Sequence, residues 1–220
     1  MKSHTTWYGF ALCLALVAFS NPSLAQMRSG KFGVGVSGSA YLFNPNLSDG
    51  LIKGGGGASL SYSIMEHLGI RAMLGAGQLG WKNKGNASLT NTTTLLSANL
   101  YLSYDIIPHG TFNPFLFAGL GGIYFDPRQD QSGAYLQTNN DKIDVNYLGG
   151  VGFDYFFSEF FSMTISGEYA LTNTDRLDNQ KNLGTKDTYS RVNLEFRYYF
   201  FDQDYITKLI QALQARYKGK

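Results

Sequence analysis

A chain of 220 residues, of which 15% are charged and 15% aromatic, with 26 glycines, is long enough for one domain and little else once a leader is set aside. Its formal net charge is only +2, and its basic residues form no stripe, so nothing marks a nucleic-acid partner. The one cysteine, Cys13, lies near the N-terminus and excludes a disulfide framework.

In chain order the first feature is a leader. Lys2 and His4 precede an apolar run from Trp7 to Phe19, which is followed by Ser23-Leu24-Ala25. The run is too short and wrongly flanked for a spanning helix, and the small residues fit a cleavage site, so residues 1–25 are expected to be a secretory signal peptide cleaved after Ala25. Cys13 follows Leu12 rather than a small residue, which argues against lipoprotein acylation. A mature chain starting at Gln26 has no thiol for a disulfide, a metal or nucleophilic catalysis.

Eight stretches with apolar residues at every second position follow. In 31–43, Phe32, Val34, Val36, Ala40 and Leu42 oppose Gly33, Gly35, Ser37, Ser39 and Tyr41. In 55–64, Ala58, Leu60, Tyr62 and Ile64 oppose Gly57, Ser59, Ser61 and Ser63, and in 68–79, Leu68, Ile70, Ala72, Leu74 and Ala76 oppose Gly69, Arg71, Met73, Gly75 and Gly77. The fourth, 93–106, sets Leu96, Ala98, Leu100, Leu102 and Tyr104 against Ser97, Asn99, Tyr101 and Ser103. The fifth, 113–125, is apolar or glycine on both faces, so its phase is open. In 142–156, Val145, Tyr147, Val151, Phe153 and Tyr155 oppose Asp144, Asn146, Gly150, Gly152 and Asp154, and in 160–171, Phe161, Met163, Ile165 and Tyr169 oppose Ser162, Thr164, Ser166 and Glu168. The eighth is the most regular: Val192, Leu194, Phe196, Tyr198 and Phe200 against Arg191, Asn193, Glu195, Arg197 and Tyr199. A tilted membrane-crossing strand needs roughly 9–11 residues, and the stretches have about that length. Apolar residues facing lipid and polar ones facing a lumen account for the pattern; a mean hydropathy of -0.16 is no objection, because lumen residues dilute every window.

Connectors alternate in length. Residues 65–67, 107–112 and 157–159 are short, whereas 44–54, 80–92, 126–141 and 172–189 are long and rich in Asn, Asp, Gly, Lys or Thr. Short inner turns and long outer loops give an all-β, eight-stranded, antiparallel up-and-down transmembrane barrel over 26–201, with both ends of the barrel inside.

The leader, the eight alternating segments, the Gly/aromatic lacing from Phe115 to Tyr124 and the aromatic end at Phe200 resemble the small eight-stranded outer-membrane barrels of OmpA and OmpX type. The resemblance implies insertion among outer-membrane lipids and a final strand whose aromatics, here Phe196, Tyr198 and Phe200, are read by the barrel-assembly machinery. It also implies a monomer in a bacterial outer membrane with a structural or surface-interaction role, the long third and fourth loops making contact with an extracellular partner. Residues 202–220 depart from barrels that stop at the last aromatic. There Ile206, Leu209, Ile210, Leu213 and Tyr217 follow helical spacing, predicting a short C-terminal amphipathic helix that lies on the inner leaflet, docks a periplasmic partner or has no role.

The lumen of an eight-stranded barrel is just wide enough for side chains to fill it. Arg71, Asp154, Glu168, Arg191, Glu195 and Arg197 are expected there as a network of ion pairs, since buried charges need partners. The histidines outside the leader, His67 and His109, fall in inner turns. A Ser-His pair for a lipid-active enzyme cannot then form at the outer rim, and two isolated histidines do not make a metal site. Gly33-Val-Gly-Val-Ser-Gly38 matches G-x-G-x-x-G but lies inside an alternating strand, and Gly54–Gly57 lacks the Lys-Ser/Thr of a phosphate loop, so no nucleotide is expected. The carboxylates and amides at 126, 130 and 139–141 have no Ca²⁺-ligand spacing. Two aromatic girdles are predicted: Tyr41, Phe43, Trp81, Tyr124 and Phe125 at the outer interface, and Tyr104, Phe112, Phe156, Phe157, Phe160, Phe161, Tyr199, Phe200 and Phe201 at the inner one. No catalytic site, metal or cofactor is expected; the alternatives are a narrow channel for small solutes or ions, an accessory of an envelope or secretion assembly, and, least favoured, a lipid-active enzyme.

Overall fold

Alternation of side-chain environment, rather than of residue type alone, explains why eight segments become strands. In the computed structural model, which describes residues 30–44, 48–83, 86–129, 142–174, 177 and 186–200, they are β1 (Phe32–Asn44), β2 (Ser48–Ser63), β3 (Leu68–Asn83), β4 (Asn86–Asp105), β5 (Phe112–Gln129), β6 (Ile143–Phe156), β7 (Phe161–Thr172) and β8 (Thr188–Phe200). Each pairs antiparallel with its chain neighbours, and β1 pairs with β8 to close the barrel. The outer surface carries the large apolar residues: Val36, Leu60, Leu74, Val151 and Val192 are each more than half exposed. Arg71, Asp154, Glu168, Arg191, Glu195 and Arg197 are buried instead. That is the reverse of a water-soluble sheet, and it is the arrangement a sheet surrounded by hydrocarbon requires.

Register sets the shape. One row of paired residues leaves Phe43 on β1 and runs through Tyr189, Ala170, Leu148, Gly119, Tyr101, Arg71 and Ser61 to return to β1 at Gly33, ten residues from its start (43 to 33). A stagger of this kind goes with strands tilted by about 35–45° to the barrel axis.

Three sequence expectations change. The stretches 48–54, 80–83 and 86–92, expected as loop, are strand: Ser48 pairs with Asn83, Asp49 with Lys82, Trp81 with Asn91 and Thr92 with Arg128. Outside the lipid a strand needs no apolar face, so these segments, of mixed composition in 48–54 and 80–83 and rich in Thr and Asn in 86–92, continue the ladder without the apolar alternation. The phase of β5 is now defined: Phe115, Phe117, Ile123 and Phe125 are buried in the lumen, while Leu116, Leu120 and Tyr124 are exposed. The outer girdle is corrected, since Tyr41, Phe43, Trp81 and Phe125 are at most 2% exposed and point inward, in phase with the lumen residues of their strands. Of that set Tyr124 alone faces lipid. At the inner end Tyr104, Phe157, Phe160 and Phe161 are exposed, Phe112 and Phe200 are half-buried, and Phe156 and Tyr199 turn into the lumen. Phe201, the leader and the helix expected within 202–220, with Ile206, Leu209, Ile210, Leu213 and Tyr217, lie outside the described residues.

Inward glycines receive the large inward rings. A Cβ on Gly55 would sit 2.6 Å from Cε2 of Tyr41, one on Gly77 would overlap the same ring, and one on Gly152 would come within 2.6 Å of Cζ of Phe115. Gly77→Val is therefore expected to destabilise the barrel by about 1–3 kcal/mol through overpacking, read as a lower urea midpoint in detergent. Gly122→Val points into open space outside and should leave the midpoint near that of the parent. Equal midpoints for the two variants would contradict the packing of Tyr41 against Gly77.

Candidate functional site in the lumen

Eight strands leave a lumen narrow enough for opposite walls to touch, so each of the six charges singled out in the sequence meets a partner from another strand. Glu195, fully buried at the centre of the first group, accepts hydrogen bonds from Ser59 Oγ at 2.7 Å and from Arg197 Nε at 3.0 Å. Its carboxylate is also 2.9 Å from Arg197 Nη2 and 3.4 Å from Arg71 Nη1. Arg197 Nη1 donates to the Tyr199 hydroxyl at 2.9 Å and lies 3.8 Å from Asp154, which accepts from Thr164 Oγ1 at 2.5 Å. The glycines of the G-x-G-x-x-G stretch make room for this group: a Cβ on Gly33 would be 3.0 Å from Cδ of Arg197, and one on Gly35 would run into Oε1 of Glu195.

A second group lies further from the inner mouth. Arg191 Nη2 donates to Glu168 Oε2 and to the Tyr101 hydroxyl, each at 2.8 Å, and Tyr101 donates to the same carboxylate oxygen at 3.0 Å. Arg191 Nη1 reaches the Tyr41 hydroxyl at 3.4 Å. Tyr101 also joins the groups, because the Arg71 guanidinium sits 5.2 Å from its ring centroid and 5.5 Å from that of Phe117, within cation–π range. The six charged residues singled out in the sequence thus fall into two groups, with Arg71 in one and Glu168 in the other. Three guanidinium groups face three carboxylates. Ser59, Tyr101, Thr164 and Tyr199, which complete the hydrogen bonding, were visible in the sequence only as inward positions.

Removing one member should expose the cost of burial. Glu195→Ala leaves Arg71 and Arg197 facing each other without the carboxylate between them, and a loss on the order of 3–5 kcal/mol is expected. Chemical unfolding in detergent measures it; a loss below about 1 kcal/mol, the scale of an exposed pair, would mean that water already screens the group.

Beyond the second group large apolar side chains dominate the lumen, although Thr93, Asn146, Thr172 and Asp187 are buried there too. Phe43, Leu79, Trp81, Leu95, Ile123, Phe125 and Tyr189 pack as one buried cluster, with the rings of Phe43 and Trp81 edge to face at 5.9 Å. Leu177, from the connector between β7 and β8, is fully buried with them. Its carbonyl accepts from Thr93 Oγ1 at 2.5 Å and its amide donates to Asp187 Oδ2 at 2.8 Å. At the outer rim Asp126 pairs with Lys142 at 2.6 Å, so this carboxylate is engaged in an ion pair; the other residues of the acidic loop, 130 and 139–141, lie outside the described residues.

The remaining sequence candidates lie elsewhere. Phe196 and Tyr198 are exposed on the lipid face of β8 near its inner end, Tyr198 with its ring 5.0 Å from that of Phe161, and Phe200 is half-buried beside them. His67 and His109 are in the inner turns, His109 3.5 Å from Glu66 and His67 stacked on Tyr104 at 5.4 Å.

A closed, antiparallel, up-and-down barrel with an apolar jacket and a polar interior defines a transmembrane β-barrel. The chain belongs to the family of the outer membrane protein beta-barrel domain, whose model matches residues 11–200, and that family places it in the bacterial outer membrane. Among solved structures it is similar to Neisserial surface protein A, at 15% identity with a TM-score of 0.53, covering 77% of this chain and 97% of that one. It is also similar to the outer membrane protein OprG from Pseudomonas aeruginosa, at 16% identity with a TM-score of 0.53, covering 80% and 99%. At these identities the likeness is one of fold. Comparison with curated proteins finds no match.

Proposed function

We propose that this protein is a monomeric, non-enzymatic outer-membrane barrel with a structural and surface-interaction role, and that its lumen does not conduct. The observation that carries the reading is the filled interior, with ion pairs toward one mouth and mainly large apolar side chains toward the other, where Leu177 is seated. A surface role is favoured by the wall of β2 to β5, whose paired strands run on past the lipid-facing belt as polar ladder. Fold alone fixes no partner, and an extracellular protein remains the kind of partner such a wall suits. Export by a leader cleaved after Ala25, insertion among outer-membrane lipids, and recognition of Phe196, Tyr198 and Phe200 by the barrel-assembly machinery belong to the same reading. A lipid-active enzyme fits less well, because His67 and His109 stand at the end opposite the outer leaflet, where such an enzyme meets its substrate.

Planar-bilayer recording on the refolded full chain tests the closed lumen: only baseline leak is expected, and regular current steps would transfer the protein to the channel class. Attachment of expressing cells to an epithelial monolayer, with and without residues 82–91, tests the surface role. The deletion should reduce attachment while the barrel keeps its heat-modifiable gel mobility; expressing cells that attach no better than non-expressing ones would sink the surface reading.

A further inference from the structure

Charge and burial divide the lumen along its axis. The register row that starts at Phe43 descends from the outer mouth to the inner one, and its side chains change on the way. Phe43, Tyr189, Ala170 and Leu148 come first, all at most 4% exposed, and Tyr101, Arg71 and Ser61 follow. Some polar groups in the outer part are tied within it: Asn146 Nδ2 donates to the Tyr189 hydroxyl at 3.1 Å, and Thr172 Oγ1 donates to the Asp187 carbonyl at 2.7 Å, whereas Trp81 Nε1 and Asn146 Oδ1 are buried without a hydrogen-bond partner among the described residues. Toward the inner mouth lies a cavity of about 40 Å³ lined by Ser61, Ser103, Arg71, Asp154, Arg197 and Tyr199 among others. One water needs about 10–15 Å³ by this measure and two to four polar partners, so the cavity has both the room and the groups for a few.

We propose that the lumen is two compartments: a hydrated vestibule at the inner mouth, lined by Arg71, Asp154 and Arg197, and a septum of large apolar side chains at the outer mouth that Leu177 completes and that excludes water. The septum, rather than the ion pairs, is then the barrier to water and solutes. Leu177 is fitted for this role because both of its backbone polar groups are held from different directions, by Thr93 on β4 and by Asp187 at the start of the segment leading into β8. A side chain anchored in this way closes the mouth from outside the strands. Arg71, Asp154 and Arg197, which line the cavity, escape part of the desolvation cost of a sealed core, while Glu195 stays fully buried.

Cysteine accessibility tests the division directly, because the chain's one native cysteine, Cys13, is outside the described barrel and can be replaced by serine. In the full chain, folded in detergent micelles, Ser61→Cys places a near-isosteric thiol in the vestibule, while Ala170→Cys and Leu95→Cys place one in the septum. Asn44→Cys, exposed at the outer end of β1, is the reactive control, and heat-modifiable mobility verifies that each variant is folded. With a charged methanethiosulfonate reagent, Ser61→Cys is expected to label like the control, and the folded septum variants are expected to stay unlabelled until denatured. Labelling of both septum thiols in folded protein would overturn the dry septum, while failure of Ser61→Cys to label would overturn the hydrated vestibule. The proposal refines the closed-lumen reading, and the two fail separately: labelled septum thiols in a barrel silent in bilayers remove the septum and leave the closed lumen standing.

Discussion

Closure of the sheet in hydrocarbon is the constraint on which everything else depends. Every strand amide and carbonyl must be paired, so the last strand has to find the first. Once β8 meets β1, thirteen successive partners from Phe32↔Phe200 to Asn44↔Thr188 lock the seam. The lipid then claims one face of each strand for apolar side chains. What is left for the other face must fill a narrow tube without leaving an unpaired charge. The interior is a consequence of closure, and its chemistry is unusual for a core because ion pairs share it with the apolar cluster while the lipid face takes apolar side chains as well.

The seam is also where the interior is solved. β8 carries Arg191, Glu195 and Arg197 inward, half of the six lumen charges, and β1 answers with Gly33 and Gly35. Big polar side chains on the closing strand thus meet the smallest residues on the opening one. Glu195 and Arg197, two apart on the same face, pair with each other at 2.9 Å and draw Arg71 from β3 and Asp154 from β6 across the tube. The same volume logic holds around the wall, with Gly55 and Gly77 at Tyr41 and Gly152 at Phe115. Glycine in a strand costs conformational entropy, and here that cost is offset by the rings and guanidinium groups it admits.

Much of this was legible from period-two alternation, because lipid and lumen impose opposite residue types on the two faces. Strands β1, β4, β7 and β8 could be phased residue by residue. β5 could not, since Phe115, Leu116, Phe117, Leu120 and Ile123 place apolar groups on both faces and glycines fill the rest. The upper ladders were also hidden: above the lipid neither environment selects apolar residues, and Thr90 and Thr92 read as loop. For the site, the inward position of each charge followed from alternation, whereas the choice of partner did not. Arg71 and Glu195 meet because the tube is narrow and its register is staggered, and neither property is local in sequence. The outer girdle was misread for a different reason. Tyr41 and Phe43 share parity with Gly33 and Gly35, and Trp81 with Arg71, so alternation already assigned them to the lumen; the appeal of an interfacial ring at a strand end outweighed it.

That correction also accounts for the uneven distribution of aromatics between the two ends. At the inner end the turns are short, and Tyr104, Phe157, Phe160, Phe161 and Tyr198 stand outward where an amphipathic ring holds the barrel at the membrane surface. At the outer end β2 to β5 continue into water as paired polar strand, so the transition from apolar wall to Thr- and Asn-bearing wall itself resists movement into the bilayer. External rings are fewer there, Tyr124, Tyr147 and Tyr169, and rings are needed inside, where the connectors are long and the mouth would otherwise stand open. Tyr41, Phe43, Trp81, Phe125 and Tyr189 fill it, and Leu177 comes down from the β7–β8 connector to meet them. One inventory of aromatic residues thus anchors the inner end and stoppers the outer one, and strand parity decides which task each ring performs.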